Sequence, residues 1–143
     1  MEREGNKQGI MLNDSFIEQL LNNDEMERIL DEGEAFRSLM AYYRCAIMEV
    51  ETKFNVLNTE FSHRFDRNPI ETIKTRLKSP ESIIEKLHRK GLPFSAGIIE
   101  EKLTDIAGVR VICAFPEDIY LVSDSFLRQD DIRLFKKEDY IEN

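Results

Sequence analysis

The chain is poor in the residues that build metal centres and disulfide frameworks, and it lacks a long apolar run. Two cysteines and two histidines occur among its 143 residues, so a zinc site is not expected. Cys45 and Cys113 lie far apart in the sequence and are predicted to be reduced packing residues. No apolar stretch approaches the roughly 20 residues that a transmembrane helix needs, and residues 1–4 do not begin a signal peptide. We therefore expect a cytoplasmic protein without a membrane partner.

Glycine-rich phosphate loops are absent as well, since neither G-x-x-x-x-G-K-S/T nor G-x-G-x-x-G occurs. The net charge of −8 is distributed unevenly. Residues 62–92 carry +4, whereas residues 1–34 carry −7 and residues 100–143 carry −5. The acidic remainder disfavours DNA as the main ligand. The single basic region suits a compact phosphate ligand such as a nucleotide.

The N-terminal half has the residue spacing of helices. A first helix is predicted to begin after Asp14, to be interrupted at residues 22–24 and to end at Gly33, with residues 1–13 frayed before it. A second helix over residues 34–68 should end before Pro69, because proline disfavours helix in the residue that precedes it. Its apolar residues are alternately four and three apart, and we call them the seam: Phe36, Met40, Tyr43, Ile47, Val50, Phe54, Leu57 and Phe61. This spacing predicts packing against the following domain, and a contribution to an oligomer stays open.

A strand is predicted where residues alternate in character. Over residues 73–78 the alternation puts Lys74, Arg76 and Lys78 on one face, because successive strand side chains point to opposite faces. Two interpretations of this face are open. It is either an ordinary solvated surface or part of a phosphate site, in which arginine binds as a fork and lysine as a point charge.

The remaining elements complete an α/β pattern. A helix over residues 81–90 is predicted to stop at Gly91, and a strand over residues 109–115 is apolar enough for burial on both faces. Another helix starts at Pro116, and a weak third strand follows at residues 132–135. The order β-α-β-α-β predicts parallel, right-handed connections. Three strands leave an edge uncovered, which suggests that a C-terminal part is missing.

Polar residues near these elements add to the phosphate interpretation. Ser82 and Lys86 are four apart and share one helix face, near a helix start whose free N–H groups favour phosphate. Asp105 has two interpretations, a helix or turn cap and a ligand of Mg²⁺. Arg110 lies in an apolar strand and therefore needs an anion, which is Asp105, Glu101 or a ligand.

Many of these residues form a pattern that resembles a known family. The pattern consists of Arg76-Leu77-Lys78-Ser79, Ser82, Lys86, residues 105–112 (Asp-Ile-Ala-Gly-Val-Arg-Val-Ile), Asp118-Ile119-Tyr120 and Asp139-Tyr140-Ile141. It resembles the RelA/SpoT synthetase domain, and most of all its single-domain form, the small alarmone synthetase. The fold implied is a helical N-terminus followed by a partial mixed sheet of the nucleotidyltransferase-like type. Residues 1–69 are then an N-terminal helical region, and residues 70–143 are the first part of the synthetase domain.

The resemblance implies a GTP pyrophosphokinase. Members of the family transfer pyrophosphate from ATP to the 3′-OH of GDP or GTP, which gives AMP and the stringent-response alarmones ppGpp or pppGpp. The residues that would bind ATP by this resemblance are Arg76, Lys78, Ser82, Lys86 and Arg110. Asp105 would hold Mg²⁺. The partners implied are ATP and GDP or GTP, with no membrane or DNA and with a homo-oligomer left open.

The sequence departs from the family after Ile141. The family has a G-Y-R-S-x-H stretch whose tyrosine stacks on guanine, and an E-x-Q-I-R-T strand whose glutamate completes the metal site; neither occurs here. We therefore expect a C-terminally truncated domain that is inactive alone, with its catalytic glutamate beyond Asn143. The alternative is an inactive remnant that binds nucleotide or assembles with intact partners. Other 3′-OH acceptors, such as tRNA, stay open.

Overall fold

The computed structural model describes residues 23–141. Its helices and strands are, in chain order, α1 (Asn23–Phe65), β1 (Ile70–Leu77), α2 (Pro80–Lys90), α3 (Ala96–Lys102), β2 (Ala107–Cys113) and α4 (Pro116–Leu127). The combination of helices with a sheet confirms the α/β class. The described residues divide into two compact units, the first with residues 23–41 and 80–104, the second with residues 42–79 and 105–141. The predicted fraying and helix start before Asn23 lie outside the described residues.

Helix α1 runs through Gly33 without interruption, so the predicted stop at this residue is wrong. A glycine that ends a helix adopts a positive φ, and Gly33 does not. Its helical neighbours Glu32, Glu34 and Ala35 are good helix formers, and they offset the roughly 1 kcal/mol by which glycine weakens a helix relative to alanine. The predicted end of the helix before Pro69 is confirmed to within a few residues.

The seam faces inward, as its spacing predicts. All eight of its side chains are buried or half-buried, with Ile47, Leu57 and Phe61 buried. In the second unit, Leu57 and Phe61 form a core cluster with Ile70 and Val122. Phe54 joins this cluster and stacks on Phe126 of α4, with ring centroids 4.4 Å apart. The oligomer interpretation of the seam stays a prediction.

The first unit contains one predicted helix and one that the sequence reasoning missed. Helix α2 begins at Pro80 and is followed by Gly91, whose φ of +67° confirms the predicted stop. Helix α3 lies between the predicted helix over residues 81–90 and the predicted strand over residues 109–115, where the sequence analysis places no element. Its N-cap is Ser95, whose hydroxyl accepts a hydrogen bond from the backbone N–H of Ile98 at 3.4 Å, and the fully buried Ile99 anchors it. The serine followed by apolar residues was the available signal.

The sheet of the second unit pairs β1 with β2 in antiparallel fashion. The predicted parallel connection is therefore wrong. The prediction assumed the single-helix crossover of a βαβ unit, whereas the segment between β1 and β2 contains two helices, α2 and α3. In the observed register Lys74 lies opposite Arg110, and Arg76 lies opposite Gly108.

Two further strand predictions are wrong. Strand β2 is not buried on both faces, because Gly108 and Arg110 are exposed while Val109 and Val111 are half-buried. Residues 132–135 do not form a strand. A strand needs a partner for its backbone groups, and this segment has no partner strand among residues 23–141. The predicted helix starting at Pro116 is confirmed as α4.

The cysteines differ in environment, and both are free. Cys113 is half-buried and packs against the core cluster, where burial raises the pKa of its thiol. Cys45 is exposed, so its predicted packing role is wrong. No helix among the described residues has a stretch both long and apolar enough to span a bilayer.

Candidate nucleotide site

Three cations share the outward face of the sheet, and we call them the cationic face: Lys74, Arg76 and Arg110. All three side chains are exposed. They lie on one side because directly opposite residues of antiparallel strands share a face, and the register places Lys74 opposite Arg110. The other side of the sheet carries Ile73 and Val111, which pack against the core. Burial of that apolar side is what turns the cations outward.

The cationic face surrounds a recess of about 320 Å³. Gly108 lies opposite Arg76 in the register and contributes no side chain, and a Cβ at that position would meet no atom within 4 Å. None of the ion pairs among residues 23–141 includes Lys74, Arg76 or Arg110. Concentrated positive charge around an open recess attracts anions.

Lys78 and Asp105 meet at the end of this sheet. The backbone N–H of Lys78 donates to the carbonyl of Ile106 at 2.8 Å. This hydrogen bond extends the pairing of the two strands by one residue beyond β1. Lys78 Nζ lies 2.9 Å from Asp105 Oδ2. The lysine side chain is 10% exposed and the aspartate side chain 46%. The ammonium is thus held in place, while the carboxylate is still open to solvent.

These contacts bear on the interpretations of Asp105 and Arg110. Asp105 is the ion-pair partner of Lys78. Arg110 is exposed, so the expected cost of burying it does not arise. Arg110 makes no ion pair within the described part of the chain, and its role toward a ligand stays a prediction.

The other two predicted ATP-binding residues lie on α2. Ser82 and Lys86 belong to the first unit and are half-buried. Their approach to the cationic face stays a prediction. The described residues contain no group of three or more His, Cys, Asp or Glu side chains suited to a metal. A site for Mg²⁺ would therefore rest on Asp105 together with ligand oxygens.

The structure contains an ion pair with a buried carboxylate, which the sequence reasoning missed. Arg67 donates from Nη1 to Asp118 Oδ2 at 2.8 Å and from Nη2 to Asp118 Oδ1 at 2.7 Å. Asp118 is 1% exposed. The hydrogen bonds from Arg67 hold the pKa of the Asp118 carboxyl below its usual range. Arg67 also lies over the ring of Phe115, 5.3 Å from its centroid. The pair joins the segment after α1 to the first turn of α4, and no local spacing links residues 51 positions apart.

The Asp139-Tyr140-Ile141 segment is tied to α4 in the same unit. Tyr120 Oη donates to Asp139, 3.0 Å from Oδ2, and the backbone N–H of Ile141 donates to Asp139 Oδ1 at 2.9 Å. Glu138 accepts a hydrogen bond from the hydroxyl of Tyr140, which raises the pKa of that tyrosine. The two carboxylates therefore have partners outside the cationic face.

Comparison with known proteins identifies the family of this region. The model of the family described as "Region found in RelA / SpoT proteins" matches residues 75–143. The match includes every residue predicted to bind ATP or metal. This region of the chain belongs to the RelA/SpoT family.

Within that family the similarity is to small alarmone synthetases. The chain is 36% identical over 119 residues to GTP pyrophosphokinase YwaC of Bacillus subtilis (strain 168), covering 83% of this chain and 55% of YwaC. It resembles the crystal structure of small alarmone synthetase 2 from Bacillus subtilis with a TM-score of 0.62 and 39% identity, over 75% of this chain and 53% of that one. The domain is thus of the small alarmone synthetase type.

A second solved relative carries nucleotides. Small alarmone synthetase 1 from Bacillus subtilis bound to its product pppGpp matches with a TM-score of 0.64 and 31% identity, over 76% of this chain and 56% of that one. Its AMPCPP-bound structure matches with a TM-score of 0.61 and 31% identity, again over 76% and 56%. The chain spans about half the length of the relatives it matches.

Proposed function

We propose that this domain provides the ATP side of a GTP pyrophosphokinase, which transfers pyrophosphate from ATP to the 3′-OH of GDP or GTP to make ppGpp or pppGpp. The observation that carries the proposal is the cationic face, which lies beside a Lys78–Asp105 ion pair within the region that matches the RelA/SpoT family. The relatives of this region are named GTP pyrophosphokinases, and one solved neighbour is bound to pppGpp.

The residue types suit this chemistry. Transfer of a pyrophosphoryl group depends on in-line positioning and on neutralising the phosphate charge, more than on covalent help from the protein. Arg76 and Arg110 present planar donor forks, which bind phosphate oxygens in pairs. Lys78, oriented by Asp105 at 2.9 Å, offers a point charge beside them. Ser82 and Lys86 complete the proposed ATP set.

The Asp105 carboxylate suits its proposed role as a ligand of Mg²⁺. This ion is usually held by one or two carboxylates together with substrate phosphates and water, and the Asp105 side chain is 46% exposed. When bound, Mg²⁺ neutralises phosphate charge and orients the triphosphate. Lys78 contacts the same carboxylate, so the lysine and the ion would share Asp105 as a partner.

The test is binding of AMPCPP with Mg²⁺ to the chain, measured by isothermal titration calorimetry. We expect Arg76→Ala to weaken the affinity about 10- to 100-fold, which corresponds to the roughly 1.5–3 kcal/mol of a charged hydrogen bond. Lys137→Ala is the matched control, because Lys137 is exposed in the same unit and borders a cavity shared with Val111, on the other side of the sheet. Equal effects of the two substitutions would favour an ordinary solvated face.

A further inference from the structure

The register of the sheet gives Lys74 a position that the family pattern does not mark. It lies directly opposite Arg110, and opposite residues of an antiparallel pair have Cβ atoms about 4.5–5.5 Å apart. Two like charges in this position destabilise the sheet. Lys74 and Arg110 form no ion pair within the described chain that would offset the repulsion.

The recess beside this pair offers a place for an anion. It is lined by Lys74, Thr75, Arg76, Gly108, Val109 and Arg110. The absence of a side chain at Gly108, opposite Arg76, leaves the recess open between the three cations. An anion bound there would lie near cations of both strands. Its attraction to Lys74 and Arg110 would offset the repulsion between these two side chains.

We infer that Lys74 is a further phosphate-binding residue, which works together with Arg110 across the strands to hold the polyphosphate of ATP. The inference rests on the proposed function and adds to it a residue outside the family pattern. The lysine ammonium is a point charge on a flexible stem, and its attraction grows with the negative charge of the bound phosphates. Lys74 should therefore matter more for a triphosphate than for a monophosphate.

The experiment compares Lys74→Ala, Lys74→Arg and the control Lys137→Ala in titrations with Mg²⁺–AMPCPP and with AMP. We expect Lys74→Ala to weaken AMPCPP binding about 5- to 20-fold, less than Arg76→Ala, because an ammonium meets phosphate as a point charge and not as a bidentate fork. AMP binding should change less than about twofold. Lys74→Arg should restore most of the AMPCPP affinity. Lys137→Ala should leave both affinities unchanged.

Thermal melts separate a binding role from a structural one. Without ligand, Lys74→Ala should leave the melting temperature unchanged or raise it, because a like-charge pair is removed. With AMPCPP, the stabilisation should be smaller than in the wild type, because weaker binding gives a smaller shift. A purely structural lysine would instead lower the melting temperature in the absence of ligand, and that result would overturn the inference.

The two proposals fail in different ways. If Arg76→Ala weakens AMPCPP binding while Lys74→Ala behaves like Lys137→Ala, the inference about Lys74 is wrong and the proposed function stands. If the wild-type chain does not bind AMPCPP, both are wrong. An equal loss of AMP and AMPCPP affinity in Lys74→Ala would also overturn the inference, because it would place the lysine away from the terminal phosphates.

Discussion

At the scale of single residues, two ion pairs differ in what surrounds them. The Lys78–Asp105 pair is half open to solvent, with Asp105 exposed, which suits a carboxylate that is to meet a ligand. The Arg67–Asp118 pair has its carboxylate buried and joined to the arginine by two hydrogen bonds. Removing one partner of a buried pair leaves the other without compensation. We therefore assign the second pair to stability.

Arg67→Ala should lower the melting temperature at neutral pH by at least about 5 °C, because the buried Asp118 carboxylate would lose its two donors. Arg64→Ala is the matched control, since Arg64 is exposed and its pair with Glu60 is a surface pair on α1, which contributes little. Differential scanning fluorimetry gives both values. Similar small shifts for the two variants would mean that the Arg67–Asp118 pair does not stabilise the fold.

The same pair predicts a pH dependence. Because the pKa of Asp118 is lowered in the folded state, its contribution is present above the unfolded pKa, which is about 3.9 for aspartate. It is lost as the pH falls from there through the folded pKa. Melts between pH 7 and pH 3 should therefore show a decline beginning near pH 4 that is shallower in Asp118→Asn. Parallel curves for the variant and the wild type would contradict the assignment.

At the scale of secondary-structure elements, two glycines show how conformation decides the effect of a substitution. Gly33 lies inside α1 without a positive φ, and a Cβ there would meet no atom within 4 Å. Gly91 follows α2 at a φ of +67°, where a side chain is strained. The first position has the conformation that alanine prefers, and the second does not.

Gly33→Ala should therefore stabilise the chain by about 0.5–1 kcal/mol. Gly91→Ala, which adds the same methyl group, should destabilise it by about 1–2 kcal/mol. Urea unfolding followed by circular dichroism measures both. A loss of stability in Gly33→Ala would mean that the helix is interrupted at this residue after all.

Packing between α1 and α4 gives a second prediction at this scale. Phe54 stacks on Phe126 at 4.4 Å but is only half-buried. Phe54→Ala should therefore cost about 3 kcal/mol, the lower end of the range for phenylalanine in a core. Val56→Ala is the control, because Val56 is 59% exposed on the same helix. An unchanged urea midpoint for Phe54→Ala would exclude it from the core, and a fall in mass without unfolding would place it at an interface between copies.

At the scale of the whole molecule, the chain spans about half the length of its relatives. Asp105 is the carboxylate that contacts the cation at the end of the sheet, while Asp139 and Glu138 are bonded to Tyr120 and Tyr140. Among residues 23–141, none of these contacts assigns a general base to the 3′-OH, and a general base typically contributes about 10²–10⁴ to a rate.

We therefore expect the 143-residue chain, assayed alone with ATP, Mg²⁺ and GDP, to bind nucleotide without releasing AMP at a steady rate. Chromatography of the reaction mixture measures AMP and ppGpp, with YwaC from Bacillus subtilis as the positive control. Binding without turnover would agree with the proposed ATP-side role. Steady formation of both products would show that a residue of this chain serves as the base.

The sequence by itself determined the features that depend on neighbouring residues. The seam, the alternation around Arg76, the stop of α2 at Gly91 and the start of α4 at Pro116 follow from the helical and strand periods or from the backbone preferences of glycine and proline. The types of the site residues were also available, because the family pattern is a pattern of sequence. Each of these can be read without knowing which strands pair.

Tertiary structure alone decided which distant residues lie opposite each other or form ion pairs. Pairing between distant segments decided the direction of β2, the Lys74–Arg110 opposition and the ion pairs of Lys78 and Arg67. Residues 132–135 have the composition of a strand but no partner strand in the described structure. A strand exists only through hydrogen bonds to another segment, and pairings between distant segments are not encoded in local periodicity.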